Sequence, residues 1–162
     1  MKKGKDKLSP KMKLLFFIFL LFIGTFRIFA TGTDPKINKV CFNDNCFSVE
    51  LALTPQEQIQ GLMFREFLPQ NSGMLFIFDK EEIWPFYMKN TLIPLDIIWV
   101  NKKKMVVFIE ENARPCREEP CPLIYPDKSA AYVIELNAGM SDEIGLEAGC
   151  IVEFIGDKES RE

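Results

Sequence analysis

Five polar side chains stand in apolar surroundings in this chain: Arg65, Lys89, Asn90, Asp96 and Glu135. Such groups hold their places only with hydrogen-bond or charge partners, so they mark either a working site or a structural joint. Three of them fall in the run P-F-Y-M-K-N-T-L-I-P-L-D-I-I-W-V, from Pro85 to Val100. Read as a site, the set suits a small polar or anionic ligand or an envelope component. Arg65 and Lys89 would donate, Asn90 would donate and accept, Asp96 would orient Lys89, and Trp84, Phe86 and Tyr87 would offer stacking faces beside Met88. Read as chemistry, Asp96 and Glu135 would form the acid and base of a cell-envelope hydrolase, with their separation deciding the reaction. Read as structure, Asp96 would pair with Lys89 or Arg65 and fix a bend at Asn90-Thr91.

Several classes are excluded or disfavoured at once. The chain contains no histidine, which removes serine and cysteine hydrolases built on that base. Met63, Met74 and Met88 are soft enough to bind Cu(I) outside the cytoplasm, yet no histidine or Met-x-x-Met cluster joins them, so core filling is the expectation. No metal and no cofactor are expected. Cys41 and Cys46, like Cys116 and Cys121, are spaced C-x4-C, and two local disulfides are expected rather than a zinc site. Cys150 is left over as an inert core thiol.

The segments that must position these residues come next. Residues 1–30 read as a basic stretch with six lysines before the apolar run Leu14 to Ile23, hence a signal peptide or an N-terminal membrane anchor. Residues 31–35 read as a linker, 36–156 as one β-rich domain and 157–162 as a disordered tail. Without the first thirty residues the chain has 13 Lys+Arg against 22 Asp+Glu, a net charge of −9. That balance argues against nucleic acid as a partner, and it leaves the N-terminal segment as the only membrane contact.

Within the domain, alternation predicts a hairpin over 39–42 and 46–53 with its turn at Asn43-Asp44-Asn45. Thr54-Pro55-Gln56-Glu57 reads as a capping box opening a short helix that ends near Gly61. Strands are expected at 74–78, 95–100, 105–110, 130–137 and 151–155. Asp79 to Glu82 reads as a charged loop, 112–128 as a disulfide-tied loop, and 139–149 as a helical turn capped by Ser141. The fold class is α+β, mostly β: a compact, partly closed antiparallel β-barrel-like domain with one or two short helices.

Taken together, T-P-x-E, G-L-M-x-R, L-P, G-M-L-F-x-F, M-K-N-T-x-I-P-L-D, C…P-C-P and E-x-N-A-G closely resemble the domain-of-unknown-function 192 family over residues 36 to 156. Two departures are Phe86-Tyr87, where the family more often has Phe-Trp, and Cys150, where it usually has Asp. The resemblance implies a small, mostly exported β-rich domain without a settled biochemical activity. The resulting expectation is an exported, periplasmic or extracellular, non-catalytic ligand-binding or envelope accessory protein, with the hydrolase and a purely structural or interaction module as alternatives.

Overall fold

In the computed structural model of the protein, residues 36–156 are described. The expectations for 1–35 and 157–162 lie outside the described residues. The chain forms β1 (Ile37–Phe42), β2 (Asn45–Ala52), α1 (Pro55–Gln60), β3 (Ser72–Glu82), β4 (Leu95–Val100), β5 (Val106–Ala113), β6 (Ala130–Asn137), α2 (Met140–Glu143) and β7 (Val152–Gly156). Seven strands build one sheet in the order β5-β4-β6-β3-β2-β1-β7. The sheet is not closed along its length, but its outer strands approach at a bridge between Met105 and Ile151. Val106 N–H donates to Cys150 O at 2.8 Å and Val152 N–H to Lys104 O at 2.8 Å, so the ends of the sheet form a short seam. The described residues are mostly β, form a barrel-like domain and include two short helices.

One ladder departs from the antiparallel expectation. β2 and β3 run parallel, with Leu51 opposite Leu75. A parallel pair needs a crossover, and α1 with the segment after it supplies that connection. The helix starts as its sequence dictates: Thr54 Oγ1 accepts from Glu57 N–H at 3.3 Å, while Glu57 Oε2 accepts from Thr54 N–H at 2.8 Å. It stops at Gly61, whose φ of 46° belongs to the left-handed region.

Alternation along the central strands creates two cores. Leu95, Ile97 and Trp99 of β4 join Met74, Phe76 and Val133 on one face, beneath Leu62, Leu68 and Phe86. Ile98 and Val100 join Leu75, Ile134, Leu136, Phe42 and Val152 on the other. Covered on both sides, β4 is buried at every position.

Two local expectations are corrected. Asp79 to Glu82 is not a loop but the end of β3, which resumes pairing at Glu82 opposite Ala130 after a bulge. Ser141 is not the N-cap of α2. Gly139 is, with a φ of 87°, and no side chain of the helix itself caps it. Both expected disulfides form, Cys41–Cys46 and Cys116–Cys121, with Cα separations of 4.1 and 5.7 Å. Cys150 is a half-buried thiol without a disulfide. No helix among the described residues is long and apolar enough to cross a membrane.

Candidate functional site

The five polar groups singled out in the sequence do not converge. Asp96 is fully buried on the inner face of β4, and its carboxyl accepts from three backbone N–H groups: Asn112 at 2.8 Å, Gly139 at 3.1 Å and Ser141 at 2.8 Å. Neither Lys89 nor Arg65 is its partner, which corrects the expected ion pair. The Asp96 side chain instead caps α2 from a distant strand, and so supplies what Ser141 does not. Arg65 turns outward to grip Glu50, with Nη1 at 2.6 Å from Oε1. That bond holds the Glu50 carboxyl below its usual range and the guanidinium above its own. Lys89 pairs with Glu119 of the cysteine loop. Its ammonium pKa is raised and that carboxyl's is lowered, chiefly by their hydrogen bond.

Asn90 sits at the bend with a φ of 55°, its carbonyl accepting from Phe64 N–H at 2.8 Å. Its amide also approaches Met63 Sδ at 3.9 Å. The bend expected at Asn90-Thr91 therefore exists, but backbone hydrogen bonds hold it rather than an Asp96 salt bridge. Met88 is core.

Asp96 and Glu135 face apart. In the β4–β6 ladder Asp96 stands opposite Leu136 and Glu135 opposite Ile97, so the two carboxyls project from opposite faces of the sheet. They cannot act on one substrate as an acid–base pair.

Of the five, Glu135 is the one that lines a cavity walled by aromatic rings. A cleft of about 270 Å³ opens between the C-terminal end of α1 and the segment from Trp84 to Thr91, and Glu135 lines it. Its walls are the rings of Phe76, Phe78, Trp84, Phe86 and Tyr87, with Met63 and Ile59 at α1 and beyond it, and Gln58 as a polar contributor. Of the residues expected to bind a ligand, the structure gathers Trp84, Phe86 and Tyr87 here. Arg65, Met88, Lys89, Asn90 and Asp96 are not part of this lining.

Local sequence explains each wall. Gly61 faces the carboxyl: a Cβ placed there would lie 3.8 Å from Glu135 Oε2 and 3.2 Å from Phe76. Gly73 lets β3 approach β6 closely, because a Cβ there would come within 2.4 Å of the Glu135 carbonyl. Phe78 stacks on Trp84 with centroids 4.2 Å apart, and Phe76 meets Phe86 edge-on at 5.0 Å. The aromatic segment is pinned from behind, where buried Trp99 donates to the Trp84 carbonyl at 2.8 Å. It is pinned from outside by the cysteine loop, through Phe86 paired with Ile124 and Cys116 N–H bonded to Met88 O at 3.0 Å.

Glu135 Oε2 is buried and has no hydrogen-bond partner. Burial without a compensating charge pushes its pKa up to about 8, so at neutral pH the group is chiefly a carboxylic acid. Sequence reasoning had Glu135 only as a candidate general acid or base and missed Gln58, Gly61, Phe76 and Phe78. The signal that would have found them is G-L-M directly after the capped helix: a glycine stop facing the aromatic strand.

Residues 38–154 match the DUF192 family, described as "Uncharacterized ACR". The chain belongs to the DUF192 family. Among solved structures, this DUF192 domain is similar to a protein of unknown function from Novosphingobium aromaticivorans DSM 12444, at 36% identity and a TM-score of 0.65, over 71% of this chain and 81% of that one. It is also similar to a protein of Sinorhizobium meliloti 1021 described as a candidate transcription regulator, at 34% identity and a TM-score of 0.65, over 72% and 90% of the two chains. No curated protein matches the DUF192 chain in sequence.

Proposed function

We propose that this DUF192 protein is an exported, non-catalytic ligand-binding protein whose site is the aromatic cleft over Glu135. One observation carries the reading: a buried carboxyl oxygen without a partner, at the edge of a ring-lined cleft of about 270 Å³. Leaving a polar atom unpaired costs on the order of 1–3 kcal/mol, and a ligand that hydrogen-bonds to it recovers that cost. The rest of the lining is mainly apolar, so the ligand is a small molecule with an apolar body and one polar group. This departs from the anionic ligand expected from Arg65 and Lys89, because neither cation lines the cleft.

Non-catalytic action fits the lining of the cleft, in which Glu135 is the single carboxyl and no second carboxyl pairs with it as acid and base. Export fits the two disulfides, which persist in oxidising compartments. The regulatory role attached to the Sinorhizobium protein is not carried over, since an acidic mature chain would be repelled by a phosphate backbone.

Binding is tested by proton NMR of the full chain against a set of small soluble molecules, following the indole N–H of Trp84 and the methyl of Met63. Selective shifts at these two groups are expected. A diverse panel that moves neither signal removes the reading. Recovery of the protein from the cytoplasm with all cysteines reduced would remove its exported part.

A further inference from the structure

The cleft over Glu135 has a sign as well as a shape. Five aromatic rings line it and no lysine or arginine does. The two cations expected at the site from the sequence are engaged elsewhere, Arg65 with Glu50 and Lys89 with Glu119. The groups facing Glu135 from each packed element are uncharged: Gln58, Gly61 and Leu62 from α1 and its end, Phe76 and Phe78 from β3, Ile97 from β4, and Tyr87 and Thr91 from the aromatic segment. Tyr87 is the one other titratable group in the lining. Ring faces attract cations through their quadrupoles, best when water is excluded. A carboxyl that lacks donors supplies the matching negative charge once it gives up its proton, and the net charge of −9 outside the first thirty residues draws cations toward the molecule.

We infer that the cleft binds an organic cation, a substituted ammonium group carried on a small apolar body, with the rings as its cage and Glu135 as its counter-ion. The inference rests on the binding reading above and names the ligand class for that site. An anion would find no cation in the lining, and a neutral ligand would leave the ring faces without a charge to attract. Before the cation enters, Glu135 keeps its proton because nothing nearby stabilises the anion. When the cation enters, the carboxyl O–H bond breaks, its electron pair stays on oxygen as the counter-ion charge, and the proton passes to bulk water. Binding below pH 8 therefore releases a proton, and affinity rises with pH until Glu135 is ionised without the ligand.

The test titrates the full chain with choline and with 3,3-dimethyl-1-butanol, its uncharged isostere, by calorimetry in phosphate and in the sulfonate buffer MOPS. The two buffers differ in ionisation enthalpy, which reads out the proton released. Choline is expected to bind at least about tenfold more tightly than the alcohol. Its affinity should rise by about tenfold between pH 6 and 7 and less steeply as pH approaches 8, with close to one proton released per molecule bound at the lower end. Glu135→Gln should abolish both the proton release and the pH dependence. If that variant fails to fold, the proton count on the natural chain decides alone. Equal binding of both compounds without proton release overturns the cation and leaves the ligand-binding reading standing. Absence of any shift at Trp84 with either compound at millimolar concentration overturns the cation as well. If the broader NMR panel is equally silent, the pocket reading falls with it.

Discussion

Asp96 and Glu135 are both buried acids on neighbouring central strands, one register step apart, yet their surroundings treat them in opposite ways. Asp96 faces the end of the sheet where the turn into α2 and the bulged end of β5 present free N–H groups, and it takes three of them. Glu135 faces rings and a glycine, and its Oε2 takes none. Burial alone therefore does not decide what an acid is for; the supply of donors does. The acid with donors is a joint of the fold, and the acid without them is free for something that the fold does not contain.

The largest effect is expected at Asp96. Asp96→Ala would take the acceptor from three N–H groups, that of Ser141 buried and those of Asn112 and Gly139 partly so, and is expected to lower stability by about 2–4 kcal/mol, with α2 lost first. Asp96→Asn, which keeps an acceptor, should lose less. Urea unfolding measures both, and an unchanged midpoint for the alanine variant would refute the joint.

Glu135 sharpens the contrast through pH. Its folded pKa of about 8 stands above the unfolded value of 4.5, so between these values the native state holds more protons than the unfolded one. Its contribution to stability is complete below pH 4.5 and declines as pH rises to about 8, by up to about 1.4 kcal/mol per unit. Glu50, lowered by Arg65, acts with the opposite sign and below that window. Thermal melts from pH 5 to 9 should show the decline in the natural chain and not in Glu135→Gln. At pH 7, Glu135→Leu should raise stability by about 1–3 kcal/mol, as expected when an unpaired buried acid is replaced by an apolar side chain. A loss of stability there would make Glu135 structural after all.

The smallest effects belong to the surface pairs. Arg65→Ala should cost about 0.5 kcal/mol, because a half-exposed ion pair is screened by water. Lys89→Met should leave both unfolding and choline binding unchanged, since its partner is an exposed glutamate on a loop.

Local signals were legible in the sequence, and distant ones were not. Thr54 and Glu57 announced their helix because both halves of the capping box lie within one turn. Both cysteine pairs were legible because each closes over four residues. Ser141 misled because the true cap, Asp96, is brought to it by the β4–β6 ladder rather than by sequence neighbours. Asp79 to Glu82 misled because charged residues at a protruding strand end look like a loop until their bulged pairing with β6 is known. Lys89 and Asp96 share the motif M-K-N-T-x-I-P-L-D, yet the left-handed turn at Asn90 and burial of β4 send them to different sides of the sheet. The cleft itself was half visible: Trp84, Phe86 and Tyr87 were in view, and the glycine that faces Phe76 and Glu135 was not.

The seam between Met105 and Ile151 bears on the order in which the molecule assembles. Its two sides meet only after β5, the cysteine loop and β6 have been laid between them, so its closure carries a larger chain-entropy cost than the hairpin pairs. The β1–β2 and β4–β5 hairpins are expected to form before the seam, and the seam is expected to open without global unfolding. Cys150, half-buried beside it, is the built-in reporter of that opening. Its thiol should react with an alkylating reagent faster than the chain unfolds, at a rate that the disulfides elsewhere leave untouched.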